Sequence, residues 1–301
     1  TLSLHDALPI CALEYLYICS TSSDTVSKVN LDDFHEEARI HLKSEDITYR
    51  VGPHGICLSD SKLITANRYN NSISIIDIKN EIQEETYYVG ACCNDIIAYK
   101  NNAYIICSDL NSLLVFDLNM RRVVEEVPCG NLPYSICLNK EKKLLVISNM
   151  EDDSITLIDC KKNERIANIR VGYYPTKAVF AVDGQHILIC ESNIGSEFRG
   201  SIAIISLKNY KIINRIIVGN SPIDIYCSSR YCFVSNFGDG TISVLDINNY
   251  KEKKRLIVGG MPQSILKRRG SLYVGDNYNN LLIKVNLKNE NKKYLPKIGR
   301  A

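Results

Sequence analysis

A seven-residue pattern recurs seven times along this chain and constrains its fold more than any other feature. In the copy at residues 240–246, a turn-forming glycine is followed by a hydroxyl residue, a β-prone apolar run and an aspartate. The last position, here called the anchor, falls at Asn30, Asp77, Asp117, Asp159, Ser206, Asp246 and Asn286. Six residues before each anchor lies a turn former: Asp24, Asn71, Asn111, Asp153, Gly200, Gly240 and Asn280. The anchors are 40 to 47 residues apart, a period typical of propellers and other repeat arrays.

Each unit contains four short strand patterns separated by turn signals, and no stretch has helical periodicity. In the sixth unit these patterns cover residues 223–227, 231–235, 241–245 and 254–258. The third strands are apolar on both faces, whereas the fourth, such as residues 164–170, 251–257 and 292–298, are polar and are expected outermost. The pattern predicts an all-β fold, a seven-bladed β-propeller of four-stranded antiparallel blades.

A glycine marks the end of each unit, as in Val218-Gly219, and proline often follows three residues later, as in Pro222. Glycine lets the chain turn from the outside of one blade to the inside of the next. We therefore predict one propeller domain over residues 11–300, with residues 1–10 a ragged or foreign segment. The predicted units are residues 11–52, 53–90, 91–130, 131–172, 173–219, 220–259 and 260–299, and the last unit provides its own fourth strand.

These units resemble the YVTN-type β-propeller repeat of the YncE-like family, which also occurs in surface-layer-associated proteins. The Tyr-Val-Thr-Asn motif stands here as Phe233-Val234-Ser235-Asn236, and its Ser-Val-Ile-Asp third strand as Ser243-Val244-Leu245-Asp246. The resemblance covers about residues 11–300. It implies a seven-bladed ring and little about activity, because the matched residues are structural.

Composition limits the function classes. The 36 basic and 34 acidic side chains give a net charge of +2, so the whole chain offers no electrostatic argument for a nucleic-acid or membrane partner. It contains no apolar run of transmembrane length. Most of the twelve cysteines occupy small apolar core positions, and we expect all of them to be reduced, with a Cys227–Cys232 bridge as the alternative. Reduced cysteines favour the cytoplasm, whereas an incomplete N-terminus leaves export open.

Two sets of loops are expected at one face of the propeller: those joining fourth to first strands and those joining second to third strands. Both sets are rich in tyrosine and asparagine, which suit binding surfaces, although asparagine and aspartate also simply form turns. An insertion at residues 193–200 lengthens one of these loops. The candidate binding residues are His54, Arg68, Tyr69, Asp109, Tyr134, Glu151, Tyr173, Tyr174, Lys177, Phe198, Arg199, Asp224, Phe237, Asp276 and Tyr278.

The sequence offers no nucleophile elbow, phosphate loop, calcium loop or haem-attachment motif. We therefore predict a non-catalytic, monomeric binding or scaffold propeller, with no metal or cofactor, that presents the channel mouth to a protein, peptide or glycan. The alternative is a lactonase-like hydrolase using Asp224, Asp276 and Glu151, and a redox-partner role is a third possibility. The anchor aspartates are expected to form turns rather than a catalytic array.

Overall fold

In the part of the chain that the structure describes, twenty-eight strands form seven sheets, each made of four consecutive antiparallel strands, so the fold is a seven-bladed β-propeller as predicted. The computed structural model describes residues 10–12, 14–44, 48–195 and 199–296. Within them the only helical segment is one 3₁₀ turn, Ser108–Leu110. The chain divides into two compact units, residues 1–128 with 295–301 and residues 129–294.

The first unit contains blades 1 to 3. Their strands are β1 Ile10–Ala12, β2 Tyr15–Ser20, β3 Thr25–Asn30, β4 His35–His41, β5 Pro53–Ser59, β6 Lys62–Asn67, β7 Ser72–Asp77, β8 Ile82–Tyr88, β9 Cys93–Tyr99, β10 Asn102–Cys107, β11 Ser112–Asp117 and β12 Arg122–Pro128.

The second unit contains blades 4 to 7, apart from the last residues of β28. Its strands are β13 Pro133–Asn139, β14 Leu144–Asn149, β15 Ser154–Asp159, β16 Glu164–Arg170, β17 Pro175–Phe180, β18 His186–Glu191, β19 Ser201–Ser206, β20 Lys211–Ile217, β21 Pro222–Cys227, β22 Tyr231–Asn236, β23 Thr241–Asp246, β24 Lys251–Ile257, β25 Pro262–Arg268, β26 Ser271–Asp276, β27 Leu281–Asn286 and β28 Lys292–Pro296.

The anchor closes the third strand of every blade. Each anchor side chain accepts a hydrogen bond from the backbone N–H two or three residues later, as Asp117 does from Asn119 and Met120 at 2.8 Å. The same bond recurs at Asn30, Asp77, Asp159, Ser206, Asp246 and Asn286. The anchors therefore form turns, as predicted. The turn former at the other end of the strand has a left-handed backbone in six blades, with φ between 53° and 68°, Gly200 being the exception.

Apolar side chains of neighbouring blades form the core. In the first unit, Ile64 and Ile73 of blade 2 pack in one cluster with Ile105 and Phe116 of blade 3. Gly55 lets the two inner strands approach closely, because a Cβ there would lie 2.6 Å from the Cα of Asp95. The outer strands alternate between exposed and half-buried residues, as expected from their polar sequences.

One disulfide corrects the cysteine prediction. Cys227 and Cys232 are directly opposite each other on β21 and β22, with their Cα atoms 4.2 Å apart, and they are bonded. The expectation that every cysteine is reduced is wrong at this pair, because the hairpin register brings the two side chains together. The other cysteines with described side chains are not disulfide-bonded, and most are buried.

Candidate functional site

The two sets of candidate loops lie at the same end of each blade, here called the loop end, as predicted. In blades 2 to 7, the loop after the second strand donates backbone N–H groups to the loop before the first strand of the same blade. Examples are Arg68 to Gly52 at 2.9 Å and Phe237 to Ser221 at 2.9 Å. Equivalent bonds join Ser108 to Cys92, Met150 to Leu132, Ser192 to Tyr174 and Asn277 to Met261.

The last residue of the second strand connects these loops. In blade 6 this is Asn236, which is fully buried; its amide donates to Thr241 Oγ1 at 3.0 Å and Ser243 Oγ at 2.9 Å. Its carbonyl oxygen accepts the N–H of Gly219. Asn67 bonds Ser72 and Ser74 in the same way, and Asn149 bonds Ser154 and Thr156. The asparagine of the repeat motif thus has a structural role in three blades.

Carboxylates take this position in blades 5 and 7. Glu191 is 2% exposed and accepts hydrogen bonds from the Gly172 N–H at 2.8 Å and from Ser201 Oγ, with the half-exposed Arg215 guanidinium at 3.0 Å. The sequence analysis did not single out Glu191. The available signal was that Glu191 aligns with Asn236, the last residue of a six-residue second strand, in a blade that lacks the usual asparagine.

Asp276, the equivalent residue of blade 7 and a predicted site residue, is 1% exposed. Its Oδ1 accepts the N–H groups of Met261 at 2.9 Å and Tyr278 at 3.1 Å, and its Oδ2 accepts the Asn279 amide at 2.7 Å. The carboxylate therefore holds its own loop and the preceding one together.

A β-bulge one residue after the proline of the first strand re-aims several predicted residues. The register shifts on either side of His54, Tyr134 and the equivalent residues of blades 5, 6 and 7. Buried His54 donates from Nδ1 to the Asn94 carbonyl oxygen of the next blade at 2.6 Å. Tyr134 is half-buried. The His54 side chain therefore reaches the neighbouring blade rather than open solvent.

Lys177 and Asp224 follow the bulges of blades 5 and 6 and are both buried. Asp224 accepts the N–H of Ile225 and, across the blade boundary, the N–H of Ile265, each at 2.9 Å. Both side chains act on Cys190. Burial raises the pKa of that thiol well above its usual value, and the Asp224 carboxylate raises it further, while Lys177 opposes this. Cys190 is therefore held as the neutral thiol.

Arg68 and Asp109 meet around Cys92 in the first unit. Burial raises the pKa of the Cys92 thiol; Arg68 lowers it through its charge and a hydrogen bond, and Asp109 raises it. Tyr69 lies nearby in the same loop, with the Arg50 guanidinium 5.7 Å from its ring centre. Three predicted residues, Arg68, Tyr69 and Asp109, thus lie near Cys92. Because the pKa of the Cys92 thiol is raised, the thiol is not activated as a nucleophile.

The remaining predicted residues lie apart on the loops. Tyr173 and Tyr278 are each 70% exposed, Glu151 and Arg199 are exposed, and Phe237 is half-buried. Tyr174 has a left-handed backbone with φ of 52°, but so do the equivalent residues Gly52, Cys92, Leu132 and Ser221, so the conformation belongs to the repeat. Phe198 lies outside the described residues.

The described ranges contain no group of three or more His, Cys, Asp or Glu side chains placed to hold a metal ion. The carboxylates of Asp224 and Asp276 already accept backbone N–H groups, and Glu151 is solvent-exposed. Nor does any helix there have the length and apolar character needed to cross a membrane.

A cavity of about 410 Å³ lies between blades 1 and 2 at their loop end. Its described lining is uncharged and consists of Ser44, Tyr49, Tyr69, Asn70, Asn71, Ser72, Thr86 and Tyr88. Tyr88 is 76% exposed and Tyr49 62%, so both rings offer open faces. Of this lining, only Tyr69 was predicted. Tyr49 and Tyr88 come just before the valine-glycine pair that ends a repeat unit. The candidate loops were predicted to begin after that pair.

The polar lining of this cavity is held in place by internal hydrogen bonds. Ser72 donates to Asn70 Oδ1 at 2.7 Å and accepts from the buried Asn67 amide at 2.9 Å. Gln83 donates to Thr86 Oγ1 at 2.5 Å, and Asn71 Oδ1 accepts the Cys92 N–H. Such a fixed lining reduces the ordering cost of binding.

The chain is similar to solved propeller structures. A chain of hydrazine synthase from Kuenenia stuttgartiensis superposes with a TM-score of 0.79 at 16% identity, over 95% of this chain and 93% of that one. Dihydro-heme d1 dehydrogenase NirN, solved in complex with DHE, gives a TM-score of 0.68 at 14% identity, over 94% of this chain and 64% of that one. No family model and no curated protein matches the sequence. At these identities the likeness establishes the fold alone.

Proposed function

We propose that this chain is a non-catalytic binding propeller of the YVTN type, and that the cavity between blades 1 and 2 takes a neutral glycan. The observation that carries the proposal is the combination of two exposed tyrosine faces with a fixed, uncharged lining of amides and hydroxyls. A sugar ring presents C–H faces that pack on aromatic rings, and hydroxyls that pair with amide and hydroxyl groups. The cavity volume lies within the range of ligand sites.

A peptide partner has less support at this cavity, because no charged side chain lines the described part of it to fix peptide termini or acidic and basic residues. The hydrolase alternative also has less support. Two of its three carboxylates are engaged in holding loops and strands together, and catalysis needs a free base or nucleophile near a bound substrate.

The test is a screen of purified protein on immobilised neutral oligosaccharides, followed by calorimetry with the best binder. We expect Tyr88→Ala and Tyr49→Ala each to weaken binding by about tenfold or more, since each removes a packing face. Tyr173→Ala is the matched control: its side chain is 70% exposed, close to the 76% of Tyr88, but lies outside this cavity, so binding should change less than about twofold.

Absence of any bound neutral glycan would contradict the proposal. Binding that is lost in Tyr173→Ala or Tyr278→Ala but retained in Tyr88→Ala would place the ligand on the other loops instead. Hydrolysis of a lactone or ester that disappears in Asp224→Asn would favour the alternative enzyme.

A further inference from the structure

The near-neutral net charge conceals an uneven distribution. Between Lys251 and Tyr294, eight lysines and three arginines accompany only Glu252, Asp276 and Glu290, a local excess of eight positive charges. The other 257 residues carry a net charge of −6. The net charge of the whole chain therefore does not describe blades 6 and 7, which carry a strong positive excess.

Most of these basic residues lie at one end of the two blades. This is the turn end, where the first strand turns into the second and the third into the fourth, opposite the loop end. Lys251 begins β24 after one such turn, and Arg268 ends β25 before another. Around them at this end are Arg230, Lys267, Arg269, Lys288, Lys292 and Lys293. A concentrated basic surface attracts anionic partners and speeds their association.

A cleft of about 350 Å³ opens within this basic surface, between blades 6 and 7. Its floor is apolar and comprises Phe233, Val244, Leu256 and Leu287, of which Phe233 is 3% and Leu256 5% exposed. Lys254 and Lys267 stand at its sides, with Ser228, Ser229 and Tyr231 completing the lining. Lys254 also forms an ion pair with Glu290.

We propose that this cleft binds an acidic peptide segment that inserts one apolar side chain between flanking carboxylates. Charge complementarity selects the acidic residues, which would meet Lys254 and Lys267, and the recessed apolar floor selects the inserted side chain. An extended acidic motif places both features within a few residues, and the apolar floor and the two lysines line one cleft.

Other anionic partners fit this surface less well. A membrane surface is bound by apolar groups that project from the protein, whereas Phe233 and Leu256 are buried at the bottom of the cleft. Single-stranded nucleic acid stacks on exposed rings, but Tyr231 is the one partly exposed ring in the described lining, and the Arg230 guanidinium lies 5.3 Å from its centre. The proposal concerns the turn end and does not depend on the glycan cavity of blades 1 and 2.

The experiment measures fluorescence anisotropy with a labelled peptide in which one leucine stands between two runs of glutamate. We expect saturable binding that weakens steeply as salt is added. Replacing the leucine of the probe by alanine should weaken binding by about tenfold, because the apolar side chain no longer fills the cleft. A poly-glutamate probe of equal charge that binds as tightly would overturn the role of the cleft.

Three protein variants and one control variant locate the site. Lys267→Glu should weaken binding by about tenfold or more, since it places like charge against the peptide. Glu290→Gln should strengthen binding by about two- to threefold, because it removes the carboxylate that competes for Lys254. Lys251→Glu should weaken binding, whereas Lys211→Glu, the same strand position one blade earlier, should leave it unchanged within about twofold.

Thermal unfolding of each variant shows whether it is folded, and Lys267→Gln provides a milder replacement if Lys267→Glu is not. Equal loss of binding in Lys211→Glu and Lys251→Glu would show a diffuse charge effect and contradict a defined site. Tighter binding of an oligothymidylate or of phosphatidylglycerol vesicles than of the peptide, abolished by Lys267→Glu, would show that the partner class is wrong.

Discussion

The two ends of each blade are built under different constraints. At the turn end, all seven anchors make one kind of hydrogen bond, to a backbone N–H two or three residues ahead, and Asn, Asp or Ser suffices. At the loop end, the last residue of the second strand has five identities over the seven blades: Ser20, Asn67, Cys107, Asn149, Glu191, Asn236 and Asp276. A local backbone turn needs a single acceptor, whereas the loop end must match partners that differ from blade to blade.

The partners explain the variation at the loop end. Asparagine occurs in blades 2, 4 and 6, where the third strand offers two hydroxyls, as Thr241 and Ser243 do for Asn236. In blade 5 the second hydroxyl is replaced by Ala203, and the longer Glu191 is found instead, with Arg215 supplying the missing partner. The residue at this position therefore depends on the hydrogen-bonding groups that its own blade offers, and the following substitutions test that dependence.

The largest effect is expected at Glu191. Glu191→Ala leaves the half-buried Gly172 N–H and the buried Ser201 hydroxyl without their acceptor, and should lower the free energy of unfolding by about 3 kcal/mol. Arg215 is half-exposed and returns to water, so the ion pair itself contributes little. Denaturant unfolding measures the loss, and Glu191→Gln, which keeps an acceptor, should recover most of it. Equal losses in both variants would mean that the charge, not the acceptor, is required.

The asparagine triads should show a slightly smaller and uniform effect. Asn149→Ala and Asn236→Ala each remove a fully buried amide from two hydroxyls, and each should cost about 2 kcal/mol of unfolding free energy. Because each amide makes the same pair of hydrogen bonds, the two losses should agree within about 1 kcal/mol, with that of Asn236→Ala the larger because its carbonyl oxygen also accepts the Gly219 N–H. Strongly different values in the same denaturant titration would break the equivalence of the blades.

Blade 1 offers a substitution that should stabilise the protein. Thr25 and Ser27 provide the two hydroxyls, but the second strand ends in Ser20, whose hydroxyl is buried and has no hydrogen-bond partner within the described residues. Ser20→Asn should complete the triad and raise the free energy of unfolding by about 1 kcal/mol. Cys107→Asn is the opposing control, because Leu114 stands where the second hydroxyl would be, and it should destabilise blade 3. Stabilisation by both variants in thermal unfolding would refute the two-hydroxyl rule.

The smallest effect concerns an anchor. The Lys62 ammonium, 2.6 Å from the Asp77 carboxylate, and the Asn80 N–H lower the pKa of Asp77 to about 2. Because the folded pKa lies below the unfolded value of about 3.9, this stabilisation is present at neutral pH and is lost as pH falls from about 4 towards 2. Asp77→Asn keeps the turn acceptor, as Asn30 and Asn286 do, but loses the charge.

The midpoint of thermal unfolding of Asp77→Asn should therefore lie slightly below that of the natural protein at pH 6 and meet it near pH 2. A difference that stays constant over this range would show that the Lys62 ion pair does not contribute.

The sequence predicted the parts of the fold that depend on local signals. Third strands were placed correctly because a turn former and an anchor enclose each of them, as Gly240 and Asp246 do for β23. The cavity between blades 1 and 2 was mostly missed, because Tyr49 and Tyr88 become neighbours only when two blades pack. The Cys227–Cys232 bond depends on the register of one hairpin, which the number of cysteines in the chain does not reveal. The basic cleft depends on how charge is distributed among the blades, which the net charge of the chain does not reveal.

Among the described residues, every sheet is built from four strands that follow one another in the chain, so each blade is formed by one continuous segment. Contacts of this local kind form quickly, because little loop-closure entropy must be overcome first. During synthesis on the ribosome, a blade can pair its strands as soon as its own segment has emerged, before the next has been translated. A premature stop or a pause between two blades would leave finished sheets with one apolar face exposed, and these partial chains are the species that chaperones would have to protect.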